Sequence, residues 1–336
     1  PTNGSGQMST TVTVNGGGSP GLLVATATNQ TTNDSSEPSL CFIEPTATTT
    51  TITNDSPDAS QFGQPYTVTV LVSSLTGTPS GSVTISDGLG NQCTDDTLSG
   101  GIGSCQLLST SVGNKTLSAN YLGSFTHAPS SDTEPHSVVA ATTTTTIVSD
   151  LPDPSEVGQP YTVSVQVRTL PGNTATPGGQ VAVSDGTGQT CQIVSLVNGD
   201  GSCQLTSVSV GNKTLSASYA GAINFGASSD TEVHTVVAAT TITTITSDAP
   251  DPSLPGQNYV VAVTVTSSAG TPSGTVAVTD GAGANCNITL AGGGGSCQLA
   301  SAALGNKTLS ASYTPSSQAF AASNDTEAHV IALAAT

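Results

Sequence analysis

The string Gly-Asn-Lys-Thr-Leu-Ser-Ala begins at Gly113, Gly211 and Gly305, so its copies start 98 and 94 residues apart. A period of that length is a whole domain, which makes tandem copies of one fold the first constraint on this chain. Other features recur in register: a Thr-rich run ending at Ile52, Ile147 or Ile245, a Gly-Gln-x-Tyr, a Ser/Thr-Asp-Gly turn at Asp87, Asp185 or Asp280, and a closing Asp-Thr-Glu-x-His. The expected units are residues 46–140, 141–238 and 239–336, after an N-terminal extension of residues 1–45.

Within each unit the apolar period is two. Tyr66, Val68, Val70 and Val72 alternate with Thr67, Thr69 and Leu71, and the series from Tyr161 and Tyr259 repeat the pattern. Such alternation is the mark of strands buried on one face. Further strands are expected at Val83–Ile85, on either side of Gly100–Gly103, at Leu117–Tyr121 and at Ser137–Ala140. About seven short strands per unit, separated by Gly, Pro, Asn and Asp turns, predict an all-β fold of three antiparallel sandwiches. The six tyrosines, two per unit, and Phe125, Phe225 and Phe320 are expected in the cores, because a repeated fold buries the same positions each time.

The order of these motifs resembles the bacterial Ig-like repeats (group 3 type) of large secreted and surface proteins, over roughly residues 46–336. That resemblance implies three Ig-like sandwiches with a structural or adhesive role. The chain departs from the family pattern at Ser86, Ser184 and Thr279, where a bulkier residue often precedes Asp-Gly, and in carrying a cysteine pair in every copy.

Cys93 and Cys105, Cys191 and Cys203, and Cys286 and Cys297 each flank a Gly-rich turn. A hairpin folding at its midpoint brings such a pair opposite, so three intradomain disulfides are expected. Disulfides imply an oxidising, extracellular compartment. Cys41, the seventh cysteine, is left as a buried thiol or an inter-chain bridge.

His136, His234 and His329 each follow a glutamate by two residues and read as solvated strand edge; no further metal ligands stand beside them in the sequence. Asp55, Asp58 and Asp87, with Asp150, Asp153 and Asp185 and with Asp248, Asp251 and Asp280, are expected at one end of each sandwich. They are calcium candidates, although strand-ending turns explain them more simply. Lys115, Lys213 and Lys307 are placed in a turn at the same end, where they neutralise the acids; a turn is the wrong setting for a Lys–Asn or Lys–Asp isopeptide bond.

Only 4 Lys and Arg oppose 22 Asp and Glu, and the net charge of −18 excludes counterion-release binding to nucleic acid or anionic lipid. No apolar run is long enough for a membrane span. No Gly-x-Ser-x-Gly elbow is present, and no enzymatic activity is expected. Opening at Pro1 without methionine suggests a mature form from which a targeting peptide was removed. Aromatics are 3% of residues, which argues against a glycan platform; no receptor is named by the sequence.

The expected role is a secreted, cell-surface structural subunit polymerising with itself, with a monomeric spacer or adhesin module as the alternative. In the extension, Thr10, Thr11, Val12, Thr13 and Val14 and then Leu22, Leu23, Val24 and Ala25 have strand character around a Gly-rich turn. A lone hairpin is marginal in water, so these strands are expected to dock on a neighbouring subunit and link copies head to tail into a filament.

Overall fold

A computed structural model describes residues 23–25, 39–41 and 44–334 of the 336-residue chain. The described elements are 25 strands. The first two, β1 (Leu23–Ala25) and β2 (Ser39–Cys41), pair antiparallel as a separate ribbon, Val24 opposite Leu40. The expected partner of Leu22–Ala25 was Thr10–Val14, a segment outside the described residues.

The first sandwich is built from β3 (Thr48–Ser56), β4 (Ser60–Gln61), β5 (Tyr66–Ser74), β6 (Val83–Ser86), β7 (Gln92–Asp95), β8 (Ile102–Leu107), β9 (Gly113–Tyr121) and β10 (Ser130–Val139). One sheet has the order β3-β5-β8 and the other β4-β10-β9-β6-β7. The chain therefore changes sheets between β3 and β4, through the loop that holds Pro57 and Asp58.

The second sandwich repeats the order with β11 (Thr143–Leu151), β12 (Ser155–Glu156), β13 (Pro160–Thr169), β14 (Val181–Ser184), β15 (Thr190–Ile193), β16 (Asp200–Thr206), β17 (Gly211–Tyr219) and β18 (Ser228–Val237). The third uses β19 (Ile242–Ala249), β20 (Asn258–Thr266), β21 (Gly274–Thr279), β22 (Asn285–Thr289), β23 (Gly294–Ala300), β24 (Gly305–Pro315) and β25 (Ser323–Ile331). There Ser253 makes an isolated parallel bridge to Ile331 where the earlier copies have a two-residue strand. The chain forms two compact units; one contains the first sandwich and the other contains the second and third.

Alternation sets the cores. On β5, Tyr66, Val68, Val70 and Val72 are at most 1% exposed, and they meet Val83, Ile85, Leu117, Ala119 and Tyr121 from the facing sheet. The same positions fill the second and third cores. Phe225 and Phe320 pack against their cores, but Phe125 is 53% exposed. The cause is a local shift of the bridge. Phe225 and Phe320 pair with Ala141 and Ala239, whereas in the first copy it is His127 that pairs with Thr46 and turns inward, leaving Phe125 in the preceding turn.

The cysteine pairs close, with Cα atoms 6.0, 6.0 and 6.1 Å apart, but not across a hairpin. Cys93 lies on β7 and pairs with Ile85 of β6; Cys105 lies on β8 and pairs with Val68 of β5. Each disulfide consequently staples one sheet to the other. The Gly-rich segment between the cysteines is an arch from sheet to sheet.

Candidate functional site

His136 stands on β10, three residues before its end, with a side chain shut off from solvent. The solvated edge expected for it is incorrect, and the same holds for His234 and His329, both 0% exposed. Ser130, Asp132, Glu134, His136 and Val138 share one face of β10, and burial deepens along that face until the imidazole lies inside. There it stacks on Tyr66, with centroids 3.9 Å apart and planes 14° from parallel.

Its polar atoms are met by a segment some eighty residues earlier. Nδ1 is 2.9 Å from Asp55 Oδ2 and 3.4 Å from Asp58 Oδ1, and Nε2 is 2.8 Å from Ser60 Oγ. Asp55 comes from the end of β3, Asp58 from the crossing loop and Ser60 from β4. Nδ1–H donates to the carboxylate oxygen, which only accepts, and Nε2 shares a hydrogen bond with the Ser60 hydroxyl. Asp150, Asp153, Ser155, His234 and Tyr161 reproduce the arrangement, as do Asp248, Asp251, Ser253, His329 and Tyr259.

A serine, histidine and aspartate in this order is the geometry of a proton relay. Here Ser60, Ser155 and Ser253 are at most 1% exposed, so each hydroxyl faces the interior and the arrangement works as a structural lock. The lock joins the first strand segments of each sandwich to its last strand. Asp132 adds a second tie: its Oδ2 accepts the Ile52 N–H at 2.8 Å, where a bulge in β3 frees that donor. Asp230 and Asp325 do the same for Ile147 and Ile245.

Asp87 is not part of the cluster formed by Asp55, Asp58 and His136. It is 1% exposed on the other side of the network, where Tyr66 Oη donates to Ser109 Oγ (3.1 Å) and Ser109 donates to Asp87 Oδ2 (3.1 Å). The carboxylate also accepts the Leu89 and Asn91 N–H groups and the Asn91 side-chain amide. Burial works to raise its pKa, but these donors outweigh it and hold Asp87 below the ordinary aspartate value. Asp185 and Asp280 are lowered by the same opposition.

A carboxyl with a depressed folded-state pKa stabilises the fold above its unfolded value and loses that contribution as pH falls through the folded one. Urea midpoints are expected to drop as pH goes from about 5 towards 2. Asp87→Asn, which keeps an acceptor but loses the charge, is expected to cost the first sandwich about 1–2 kcal/mol at neutral pH and to flatten its acid dependence. An unchanged acid limb in that variant contradicts the assignment.

Lys115 is on β9 rather than in a turn. It is 4% exposed and its Nζ donates to Ser111 Oγ at 2.8 Å and Val112 O at 3.3 Å. Among the described residues no carboxylate lies within ion-pair distance of any of the three lysines, so they do not cap the acids as expected; Lys307 acts on Asp280 only through the longer-range field. Sequence reasoning missed the lock because its members are local to no motif. The one available signal was that Asp-x-x-Asp and the closing His recur together in all three copies.

No curated protein matches the chain. Among solved structures it is similar to a tetra-tandem repeat from the extending region of a large adhesion protein, at 19% identity and a TM-score of 0.34, over 85% of this chain and 74% of that one. It is also similar to invasin, a bacterial integrin-binding protein, at 16% identity and a TM-score of 0.45, over 84% of this chain and 60% of that one. A 1.5-MDa bacterial ice-binding adhesin is matched at 18% identity with a TM-score of 0.30, over 86% and 98% of the two chains. The bacterial Ig-like domain (group 3) matches residues 51–146 and 148–238, more than half of the sequence. With two tandem matches laid over the first two sandwiches, the chain belongs to the bacterial Ig-like domain (group 3) family.

Proposed function

We propose that this chain is a load-bearing spacer in an extracellular bacterial surface protein, its Ig-like modules serving as structural rather than catalytic units. The observation that carries the reading is how each sandwich ties its beginning to its end. β12 runs parallel to β18, with Ser155 opposite Val236 and Glu156 opposite Val237, and parallel bridges join Thr46 to His127, Ala239 to Phe320 and Ser253 to Ile331. When the short segment that follows the first strand lies parallel beside the last strand, tension between the termini shears their bonds together instead of unzipping them singly. The histidine lock, the Asp132-type tie and the inter-sheet disulfide lie across the same path. The disulfides also support an oxidising, extracellular location.

Self-assembly into a head-to-tail filament is the second reading. It is favoured by the two-stranded β1–β2 ribbon, a short antiparallel pair outside the sandwich sheets and of the kind that strand addition extends. Sedimentation of the purified chain separates the two. A spacer stays at the 32.9 kDa monomer mass across concentrations. A growing series of oligomers that vanishes on deleting residues 1–45 would instead establish the filament and Cys41 or the ribbon as its joint.

A further inference from the structure

We propose that each module's Asp-x-x-Asp and closing His form a binding site for a divalent first-row transition-metal ion of the zinc class, giving three sites per chain. In all three copies one imidazole nitrogen and two carboxylate oxygens, from Asp55, Asp58 and His136, from Asp150, Asp153 and His234, and from Asp248, Asp251 and His329, lie within 4.8 Å of one another. Ligands held about 2.0–2.2 Å from a tetrahedral ion are about 3.3–3.6 Å apart. The His-to-second-Asp separations are 3.4, 3.5 and 3.5 Å, already that span and longer than a good hydrogen bond. The ion takes the place of the proton that Nδ1 shares with the carboxylates, and the first Asp moves outward by a few tenths of an ångström from its present 2.8–2.9 Å.

The surroundings fit a metal ligand. Ser60 holds Nε2 and the Tyr66 ring fixes the imidazole plane, so His136 presents Nδ1 in one direction only. With a metal on Nδ1, Nε2 carries the proton and donates to Ser60 Oγ, which accepts as well as it donates. The Asp58 side chain is 45% exposed and gives the ion an entry from solvent, with water completing the coordination.

A second, independent feature is uncompensated negative charge. Asp132 and Glu134 stand on the same face of β10 as His136, and Asp230 with Glu232 and Asp325 with Glu327 repeat the placement beside His234 and His329. Among the described residues the only ion-pair partner of the Asp-x-x-Asp acids is the histidine itself. Four carboxylates around one imidazole are a setting that a dication relieves. An imidazole donor in place of a sixth to eighth oxygen selects zinc, nickel or cobalt over calcium.

The test is calorimetric titration of the chelator-treated full chain with Zn2+ and, separately, Ca2+. Three equivalents of Zn2+ with a rise in Tm are expected, and no heat from Ca2+. Asp58→Asn, Asp153→Asn and Asp251→Asn combined, which keep the oxygen that accepts the neighbouring backbone N–H, are expected to abolish the Zn2+ heat. NMR of the unmutated chain gives an answer independent of variant folding: the ring signals of His136, His234 and His329 shift with Zn2+ and those of His127 do not. Absence of Zn2+ heat, binding that survives the triple substitution, equal binding of Ca2+, or shifts at His127 alone each overturn the proposal.

Discussion

Replacing His136 by alanine is expected to lower the stability of the first sandwich by about 3–5 kcal/mol, from a cavity and stranded polar groups together. The imidazole is fully buried against Tyr66, so its removal leaves a void that the rigid β5 and β10 backbones do not close. Ser60 Oγ, 1% exposed, loses its partner at 2.8 Å, and an unsatisfied buried hydroxyl costs about 1–3 kcal/mol. Asp55 is left with neither the imidazole nor ready access to water, its side chain being 13% exposed. Chemical denaturation of the full chain, with amide exchange at Val68 and Val138 reporting the first sandwich, measures the loss. His136→Asn, which restores part of the polar contact but not the ring, is expected to fall between wild type and alanine. A loss below about 1 kcal/mol for the alanine variant is what a solvated edge residue gives, and it contradicts the lock.

Breaking a disulfide is expected to cost about 3 kcal/mol per sandwich, the loop-closure value for bridges of 12, 12 and 11 residues. The bridges matter because the cores hold few aromatics and rest on valine, whose burial contributes modestly per residue. Cys93→Ser combined with Cys105→Ser isolates the effect in the first sandwich without leaving a lone thiol. Alkylation of the unreduced chain is expected to label at most one cysteine, Cys41. Labelling at the other six positions, or a double variant as stable as wild type, contradicts an inter-sheet staple.

Much of the fold was legible because strand alternation is a local property. The series from Tyr66, Tyr161 and Tyr259 identifies its own buried face, and the repeated strings fix where each copy begins again. The cysteine pairs were legible as pairs, but their place was not: a hairpin and an arch between sheets have the same spacing, and only pairing of β8 with β5 rather than β7 decides between them. Phe125 was misassigned because the first copy has His127 at the bridging position that Phe225 and Phe320 occupy later. Lys115 follows Gly-Asn like a turn residue, yet β9 begins at Gly113, which puts Lys115 on an inward face.

The histidine lock was illegible for a different reason. His136 reads as an ordinary residue near the end of a polar strand, and its environment is set by a loop about eighty residues away. That loop crosses from one sheet to the other at Pro57, and the crossing carries Asp55, Asp58 and Ser60 past the imidazole. No short-range pattern encodes the meeting. The polar groups it buries are all satisfied: among the described residues no buried side-chain nitrogen or oxygen lacks a hydrogen-bond partner. The sandwiches therefore carry an internal polar network without an energetic penalty for orphaned groups.

On the proposed spacer role, each module is expected to resist tension applied between its two ends. Single-molecule pulling on the chain by its termini measures that resistance. Three unfolding events at high force are expected, each releasing a length that grows by about 40 Å when a reductant frees the roughly 12 residues held behind the disulfide, at about 3.4 Å per residue. His136→Ala is expected to lower the force of one event and leave two unchanged. Modules that extend gradually at low force, or a His136→Ala chain whose three events match those of wild type, would overturn the load-bearing role.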